Sequence, residues 1–285
     1  MNIEGKEVLI TGACGFIGSH LFEALINMGC KVTAFTFYNS FGKHGWLDSI
    51  NHISGVFAKN YKIVSGDVRD FGFVLEVMKN IDVVFHLAAL IGIPYSYLAP
   101  ESYIDTNVKG SLNILNAARI HDVEKVIITS TSETYGTAQY TPIDEKHIAN
   151  AQSPYAASKV AADQLSLSYY ASFNLPVAII RPFNTFGPRQ SIRAVIPTII
   201  TQLAEGQKKI HLGSLTPTRD FNFVKDTVNG FLQVAASDRT IGEVINIGSG
   251  RKISVGDTVR MIMDLMNSKA EIISEEQRVG VRAPG

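Results

Sequence analysis

The chain has 285 residues, of which 46% are hydrophobic and 18% are charged, so it is long enough for one large domain or two modest ones with a substantial core. Lysine and arginine together number 26, as do aspartate and glutamate, and the formal net charge is therefore zero. This balance argues against nucleic acid as a partner.

The first predicted strand, Glu7–Thr11, leads into a glycine-rich turn, and the apolar residues after the turn have helical spacing. Glycines allow the backbone to turn sharply and to approach a pyrophosphate, whose charge the N-terminus of a helix stabilises. A glycine triplet between a strand and a helix predicts a dinucleotide cofactor, NAD or NADP. We expect the cofactor contacts to come from the residues of this turn, which are Gly12, Gly15, Phe16, Ile17 and Gly18.

A second strand is predicted at Val32–Thr36. Sites that select NAD usually have an Asp or Glu near the end of this strand, where the carboxylate holds the ribose 2′-hydroxyl. Here the corresponding residues are neutral, and Asn39 and Ser40 are the candidates for hydrogen bonds to that hydroxyl. Together with Lys43 they would also tolerate a 2′-phosphate, so the choice between NAD and NADP stays open.

The remaining pattern alternates strands with helices. Helices are predicted at Thr106–Arg119 and Pro154–Ser172, and further strands at Lys62–Val64, Val83–His86, Lys125–Ser130, Val177–Arg181 and Val244–Ile247. This alternation predicts an α/β fold with a Rossmann-type, doubly wound parallel sheet. Because prolines and glycines interrupt the rhythm after Arg181, we predict a nucleotide-binding domain at residues 1–180, to which the strand near 244–247 returns, and a smaller substrate domain at residues 181–285.

Tyr155 and Lys159 are the strongest catalytic candidates. Ser153 is a good helix N-cap and Pro154 suits the first helical position, so a helix is expected to begin here. A spacing of four residues places Tyr155 and Lys159 on one face of that helix. A neighbouring ammonium favours the phenolate and lowers the pKa of the phenol, which would allow the tyrosine to take a proton from an alcohol.

Cysteine content and hydropathy suggest a location. Cys14 and Cys30 are too few for a disulfide framework, and no Cys/His cluster has the spacing of a zinc site, so no metal is expected. No secretory signal peptide is visible, and no apolar run is long enough to span a bilayer. We therefore expect a cytoplasmic protein without a membrane partner.

Several motifs in this order resemble one enzyme superfamily. After the glycine turn come Gly66–Val68, the segment His86–Ala89, the triplet Thr131–Glu133, the Tyr155/Lys159 pair and the segment Arg181–Asn184. The chain resembles the extended short-chain dehydrogenase/reductases, and more narrowly a nucleotide-sugar 4,6-dehydratase. Its segments NSFGKHGWLD, TSTSETYG and LTPTRDFNFVKD look like the branch that acts on nucleotide-activated N-acetylglucosamine in legionaminic-acid-type pathways.

The resemblance implies binding roles. It implies a tightly bound NAD or NADP that is regenerated in each turnover, a nucleotide-diphosphate sugar as substrate, and a homodimer. Further cofactor contacts would come from Asp67, Val68, Leu87, Ala88, Ala89, Tyr155, Lys159 and Pro182. Substrate contacts would come from Asn184, Arg219 and Arg278, and Asn107 would support the active-site helix. Such proteins usually continue past this C-terminus, so the substrate domain is expected to be incomplete.

Catalytic roles also follow from the resemblance. Tyr155 would remove the proton of the 4-hydroxyl, Thr131 would bond the 4-oxygen, and Glu133 would remove the proton from C5 before the C6 hydroxyl leaves. Ser132 stands where many sugar dehydratases have an Asp that protonates the leaving hydroxyl, so this proton would come from Glu133 itself or through a water. His86 is expected to be a hydrogen-bonded histidine at a strand end rather than a catalyst.

Two alternatives stay open on this reasoning. The first is a nucleotide-sugar epimerase, or a decarboxylase of a nucleotide-linked uronic acid, with the same cofactor and the same Tyr/Lys pair. Glu133 argues against simple epimerisation, because many such relatives carry a small neutral residue at this place. The second, more remote alternative is an NAD(P)-binding regulator without catalytic activity.

Overall fold

The structure is a computed structural model that describes residues 1–50 and 60–274. The chain divides into two compact units. The first unit consists of Met1–Pro182 and Val224–Ile247, and the second consists of Phe183–Phe223 with the described residues from Gly248 onward.

The strands and helices of both units are numbered in chain order. The strands are β1 Glu7–Thr11, β2 Lys31–Phe37, β3 Tyr61–Gly66, β4 Val83–His86, β5 Lys125–Thr129, β6 Val177–Pro182, β7 Asn184–Phe186, β8 Lys209–Leu212, β9 Thr218–Arg219, β10 Phe221–Phe223, β11 Val244–Ile247, β12 Ile253–Ser254 and β13 Glu271–Ser274. The α-helices are α1 Phe16–Asn27, α2 Phe71–Val77, α3 Ile93–Leu98, α4 Pro100–Tyr103, α5 Gly110–Ile120, α6 Pro154–Phe173, α7 Val195–Ala204, α8 Val224–Ala236 and α9 Val255–Leu265.

The first unit is built on a seven-stranded sheet in the order β11-β6-β5-β4-β1-β2-β3. All of its neighbouring strands are parallel. Every residue of β4 and of β6 is buried, as expected for strands covered on both faces. The predicted fold class, a doubly wound parallel sheet of the Rossmann type, is confirmed.

Two helical predictions meet different outcomes. The helix expected after Ser153 begins at Pro154, and the Ser153 hydroxyl accepts a hydrogen bond from the amide of Ala156 at 3.1 Å. The single helix expected at Thr106–Arg119 is wrong at its start, because Ile104–Lys109 is a π-helical turn that continues into α5. Local spacing of apolar residues does not distinguish such a turn from an α-helix, and π-turns are frequent at functional sites.

The described residues of the second unit form three two-stranded sheets. Strands β7 and β10 are parallel, β9 and β12 are antiparallel, and β8 and β13 are parallel. Its apolar core contains five buried residues, which are Ile199, Leu203, Ile210, Leu212 and Val259. Within the described parts of the chain, no helix is both long and apolar enough to cross a bilayer.

Candidate active site

The glycine turn after β1 leaves no room for side chains at two positions. Gly12 has a φ of +69°, and a Cβ atom there would lie 2.8 Å from the amide nitrogen of Ala88. At Gly18 a Cβ atom would lie 2.2 Å from the carbonyl oxygen of Gly12. The turn, the first turn of α1 and the end of β4 are therefore in direct backbone contact, which is the close approach that a dinucleotide-binding turn requires.

The predicted cofactor residues of this region differ in exposure. Gly15 is exposed, Gly18 is buried, and the intermediate residues are Gly12, Phe16, Ile17, Leu87, Ala88 and Ala89. The amides of Leu87 and Ala88 both donate to the Thr11 hydroxyl oxygen at 3.1 Å. The structure thus brings the end of β4 and the glycine turn together, and contact of these residues with a cofactor stays a prediction.

His86 lies at the end of β4 and is 2% exposed. Its Nδ1 atom is 2.7 Å from the Thr11 hydroxyl, and its Nε2 atom is 3.1 Å from the Ser111 hydroxyl. Burial, and to a smaller extent the charge of Lys159, lower the pKa of His86 to about 3. The ring is neutral and both nitrogens are hydrogen-bonded, so the prediction of a structural histidine is confirmed.

The loop after β2 contains the residues predicted to bind the ribose of the cofactor. Asn39 is occupied within its own loop, because its Oδ1 atom accepts from the amides of Phe41 and Lys43 and its Nδ2 atom donates to the Lys43 carbonyl at 2.7 Å. Ser40 is exposed. No carboxylate follows β2 in this loop, and the choice between NAD and NADP stays open.

Asp67 has the local role of a loop acid in this structure. Its carboxylate accepts from the amide of Arg69 at 2.9 Å and from the Arg69 guanidinium at 2.6 Å. The hydrogen bonds from Arg69 hold the pKa of Asp67 below its usual value. Val68 is buried, and its carbonyl accepts from the Asn113 side chain at 2.9 Å. Contact of Asp67 and Val68 with an adenine stays a prediction.

The catalytic candidates lie together where β5 ends and α6 begins. Tyr155 and Lys159 are both buried on α6, and the Tyr155 hydroxyl is hydrogen-bonded to Thr131. Ser132 and Glu133 belong to a short 3₁₀ turn, Ser132–Tyr135, and both are partly exposed. The Thr131 hydroxyl accepts from the Glu133 amide at 3.2 Å, which positions that turn. Thr131 therefore bonds both the Tyr155 hydroxyl and the Glu133 amide, and the charge of Glu133 acts on Tyr155, so the two residues lie near one another.

The electrostatics of the pair differ from the sequence-based expectation. Burial raises the pKa of Tyr155 to about 12, and the hydrogen bond with Thr131 only partly offsets this effect. The Lys159 ammonium donates to the Thr129 carbonyl, and burial lowers the pKa of Lys159 to about 8. The expectation that Lys159 gives Tyr155 a lowered pKa is wrong for this structure, because desolvation of the phenol outweighs the other influences.

Asn107 links the π-helical turn to the active-site helix. Its Oδ1 atom accepts from the Leu90 amide at 2.8 Å, and its Nδ2 atom donates to the Leu90 carbonyl and to the Ser158 hydroxyl, each at 2.9 Å. Ser158 in turn donates to the Tyr155 carbonyl at 2.7 Å. The support for α6 that the resemblance implies for Asn107 is therefore present as direct hydrogen bonds.

The remaining predicted site residues lie elsewhere. Pro182 ends β6 and is paired with Ile247 of β11. In the second unit, the amide of Asn184 donates to the Asp220 carbonyl at 3.1 Å. Arg219 is exposed and donates to the Thr218 carbonyl at 2.8 Å. Arg278 lies outside the described residues. The substrate contacts proposed for these residues stay predictions.

Sequence reasoning missed a buried ion pair behind this site. Asp163 on α6 and Arg181 on β6 are bonded through Oδ2 and Nη2 at 2.8 Å. The signal in the sequence is the position of Asp163, one helical turn after Lys159, on a face that is otherwise apolar or small.

Comparison with known proteins shows which family this chain belongs to. The sequence profile of the family described as GDP-mannose 4,6 dehydratase matches residues 9–283. The chain is 33% identical over 273 residues to a dTDP-D-glucose 4,6-dehydratase of Homo sapiens, covering 94% of this chain and 77% of the relative. It is 35% identical over 278 residues to a UDP-N-acetyl-alpha-D-glucosaminuronate decarboxylase of Bacillus cytotoxicus, covering 94% and 83%.

A solved structure agrees with these relatives. The UDP-glucuronic acid 4-epimerase from Bacillus cereus, in complex with UDP-glucuronic acid and NAD, is similar with a TM-score of 0.85 and 29% identity, over 94% of this chain and 85% of that one. The three relatives carry three different reaction names, and each is named for a nucleotide sugar. The chain therefore belongs to the GDP-mannose 4,6 dehydratase family, among the nucleotide-sugar epimerases and dehydratases of the short-chain dehydrogenase/reductase superfamily.

Proposed function

We propose that the protein is an NAD(P)-dependent nucleotide-sugar 4,6-dehydratase that acts on UDP- or GDP-N-acetylglucosamine. The observation that carries this proposal is the carboxylate of Glu133 in the same site as the Tyr155 phenol. A phenol beside a lysine is sufficient for oxidation of an alcohol, whereas a second proton-transfer group is needed for elimination of water.

The residues of the glycine turn fit a dinucleotide. Added Cβ atoms at Gly12 and Gly18 would meet backbone atoms, so the backbone is shaped for close approach to a diphosphate at the N-terminus of α1. Gly12, Gly15 and Gly18 would hold the diphosphate, and Tyr155 and Lys159 would face the nicotinamide and its ribose. A bound nicotinamide supplies acceptance of a hydride from C4 and its return to C6.

Each catalytic residue has a defined proton to move. Tyr155 acts as a phenolate, which the Lys159 ammonium and the positive charge of a bound oxidised nicotinamide would favour over the phenol of the unliganded protein. It takes the proton of the C4 hydroxyl as that carbon is oxidised, and Thr131 bonds the C4 oxygen. The new ketone acidifies the C5 proton, which Glu133 removes while the C6 oxygen departs as water. Because a serine is a poor acid, Ser132 is not the donor to this oxygen, and Glu133 delivers the proton directly or through a water. The proton that Tyr155 took from the C4 hydroxyl is released to solvent, and C5 regains a proton from solvent. With the hydride that the nicotinamide would supply at C6, the net change would be loss of one water.

Product analysis tests this function. The protein is incubated with UDP-, GDP-, CDP- and dTDP-sugars, with NAD and NADP supplied separately. The masses of the products are measured by mass spectrometry, and their configuration at C4 is determined by NMR. We expect a 4-keto-6-deoxy product that has lost one water from one of these sugars. A product that differs from its substrate only in configuration at C4 would contradict the proposal.

Two variants separate the steps. Tyr155→Phe should bind cofactor and lose turnover, and Tyr140→Phe, which removes an exposed hydroxyl bonded to Asp144, is its matched control. Glu133→Gln should permit oxidation at C4 but block elimination. Unchanged dehydration in Glu133→Gln would remove this residue from the mechanism.

Epimerisation and decarboxylation are the second candidates, because relatives named for both reactions match the chain over most of its length. We further propose that the first unit binds the cofactor and that the second unit, through Asn184 and Arg219, binds the sugar nucleotide. Assembly as a homodimer is a prediction from the family resemblance, which sedimentation of the purified protein tests.

A further inference from the structure

Asp163 is a buried carboxylate that the proposed reaction does not use. It is 0% exposed, and its Oδ2 atom accepts hydrogen bonds from the Ser130 hydroxyl and from the Arg181 Nη2 atom, both at 2.8 Å. Its Oδ1 atom has no hydrogen-bond partner among the residues that the structure describes. A buried carboxylate with one unpaired oxygen costs stability, so packing alone does not explain its presence.

Contacts from the sheet hold Asp163 in place. The Arg181 side chain, itself 7% exposed, donates to Oδ2 through Nε at 3.2 Å as well as through Nη2. Its guanidinium carbon lies 4.8 Å from the centre of the Tyr135 ring, and the Tyr135 hydroxyl donates to the Asn246 side chain at 2.8 Å. Ser130 just after β5, Arg181 of β6 and, through Tyr135, Asn246 of β11 therefore all contribute to fixing this carboxylate.

Lys159 is the buried cation that requires a nearby negative charge. It precedes Asp163 by four residues on α6 and therefore lies on the same helix face. Burial lowers the pKa of Lys159 to about 8, and the charge of Asp163 opposes that change. The other charged groups here are Arg181, which is bonded to Asp163, and Glu133, whose charge acts on Tyr155. Burial raises the pKa of Asp163, and the charges of Arg181 and Lys159 oppose that rise. His86 of β4, with a pKa of about 3, is neutral at pH 7.

We propose that Asp163 is a positioning residue whose carboxylate, held by Arg181 and Ser130, keeps Lys159 in its ammonium form at neutral pH. This inference rests on the proposed role of the Tyr155/Lys159 pair. Without the carboxylate, the pKa of Lys159 would fall from about 8 towards neutral pH, so a large share of the molecules would lack the positive charge beside the Tyr155 phenolate. Asp163 thus acts on the reaction through Lys159 and touches neither substrate nor cofactor.

The pH dependence of dehydration tests this role. In the wild type, kcat should fall on the alkaline side near pH 8, as Lys159 loses its proton. Asp163→Asn keeps the shape of the side chain and removes its charge. A nearby opposite charge shifts the pKa of an ionisable group by about one unit or more. The alkaline limb should therefore move to lower pH by about one unit. An alkaline limb at the wild-type position in Asp163→Asn would overturn the proposal.

Ser130→Ala is the matched control. It removes one hydrogen bond from the same oxygen, Oδ2, and leaves the charge of Asp163 and its contact with Arg181. We expect its alkaline limb to stay at the wild-type position. If Ser130→Ala shifted the limb as far as Asp163→Asn does, the effect would be one of packing, and the charge-based role of Asp163 would be refuted.

A titration without sugar separates this inference from the proposed function. Lysine side-chain NMR of the unliganded protein, assigned with Lys159→Met, reports directly the pH at which Lys159 titrates. The same titration pH in the wild type and in Asp163→Asn would refute the inference whatever the enzyme does. A lower titration pH in Asp163→Asn would support it even if no sugar were dehydrated, an outcome in which only the proposed function fails. If Asp163→Asn does not fold, Asp163→Asn combined with Arg181→Gln removes both members of the buried ion pair. Because a positive charge is lost together with the carboxylate, the downward shift should be smaller than in Asp163→Asn, and an unchanged titration pH would refute the inference.

Discussion

Acid should destabilise this protein through His86. The Thr11 hydroxyl accepts from two amides and therefore donates its proton to Nδ1, and the Ser111 hydroxyl donates to the Asn107 carbonyl at 2.6 Å and therefore accepts from Nε2. The ring is consequently the neutral Nε2–H tautomer. A proton added at Nδ1 would face the hydroxyl proton of Thr11, and burial also opposes the charge.

The size and sign of the effect follow from the pKa. The pKa of His86 is about 3 in the folded protein and about 6.5 in the unfolded chain, so the unfolded chain binds more protons between these values. The contribution of His86 is complete above pH 6.5 and disappears as the pH falls towards 3. It amounts to about 5 kcal/mol in total, of which about 3 kcal/mol is lost between pH 7 and pH 4.

Denaturant unfolding of wild type and His86→Gln at pH 7 and at pH 4 tests this assignment. The glutamine variant should be less stable than wild type at pH 7, and the difference in unfolding free energy should narrow by about 3 kcal/mol at pH 4. His121→Gln, which alters a histidine bonded to the Leu75 carbonyl at the end of α5, controls for loss of a histidine in general. Parallel pH curves for wild type and His86→Gln would refute the reasoning.

Two further predictions concern stability. Gly18→Ala should destabilise the fold by about 1–3 kcal/mol in urea unfolding, because its Cβ would overlap the Gly12 carbonyl. Gly72→Ala, at an exposed position of α2, is the control and should be neutral or stabilising. Equal effects of the two substitutions would contradict the packing argument. Lys125→Met should lower the free energy of unfolding by about 2–4 kcal/mol, because the buried ammonium donates to carbonyls at the end of α8 at 2.6 and 2.7 Å. Lys31→Met, at an exposed ion pair, should lower it by under about 1 kcal/mol. A Lys125→Met variant as stable as wild type would show that these hydrogen bonds make no net contribution.

Local signals in the sequence were sufficient to predict the helix, the turn and the strand end that surround the candidate site. Ser153 and Pro154 predict the start of α6 because capping is a local interaction, and the spacing of Tyr155 and Lys159 then determines their common face. The glycine turn was likewise predictable, since a strand, three glycines and an amphipathic helix follow one another within twenty residues. His86 was predictable as a structural residue from its place at the end of a buried strand.

Properties that depend on distant residues were not predictable. Asp163 and Arg181 are separated by 18 positions on different elements, and only the folded sheet shows that they form an ion pair. The raised pKa of Tyr155 depends on how much of the phenol is buried, which no local spacing reveals. Lys125 bonds the end of α8 more than a hundred residues later in the chain, so its sequence position suggested only a strand residue.

The central claim is that Tyr155 and Glu133 act in one site to eliminate water from a sugar nucleotide. The most direct test uses the accepted nucleotide sugar with deuterium at C4 and determines by NMR where the label lies in the product. Our account predicts a 4-keto-6-deoxy product with the deuterium at C6. A product that carries the deuterium at C4 and has lost no water would contradict elimination and would identify an epimerase.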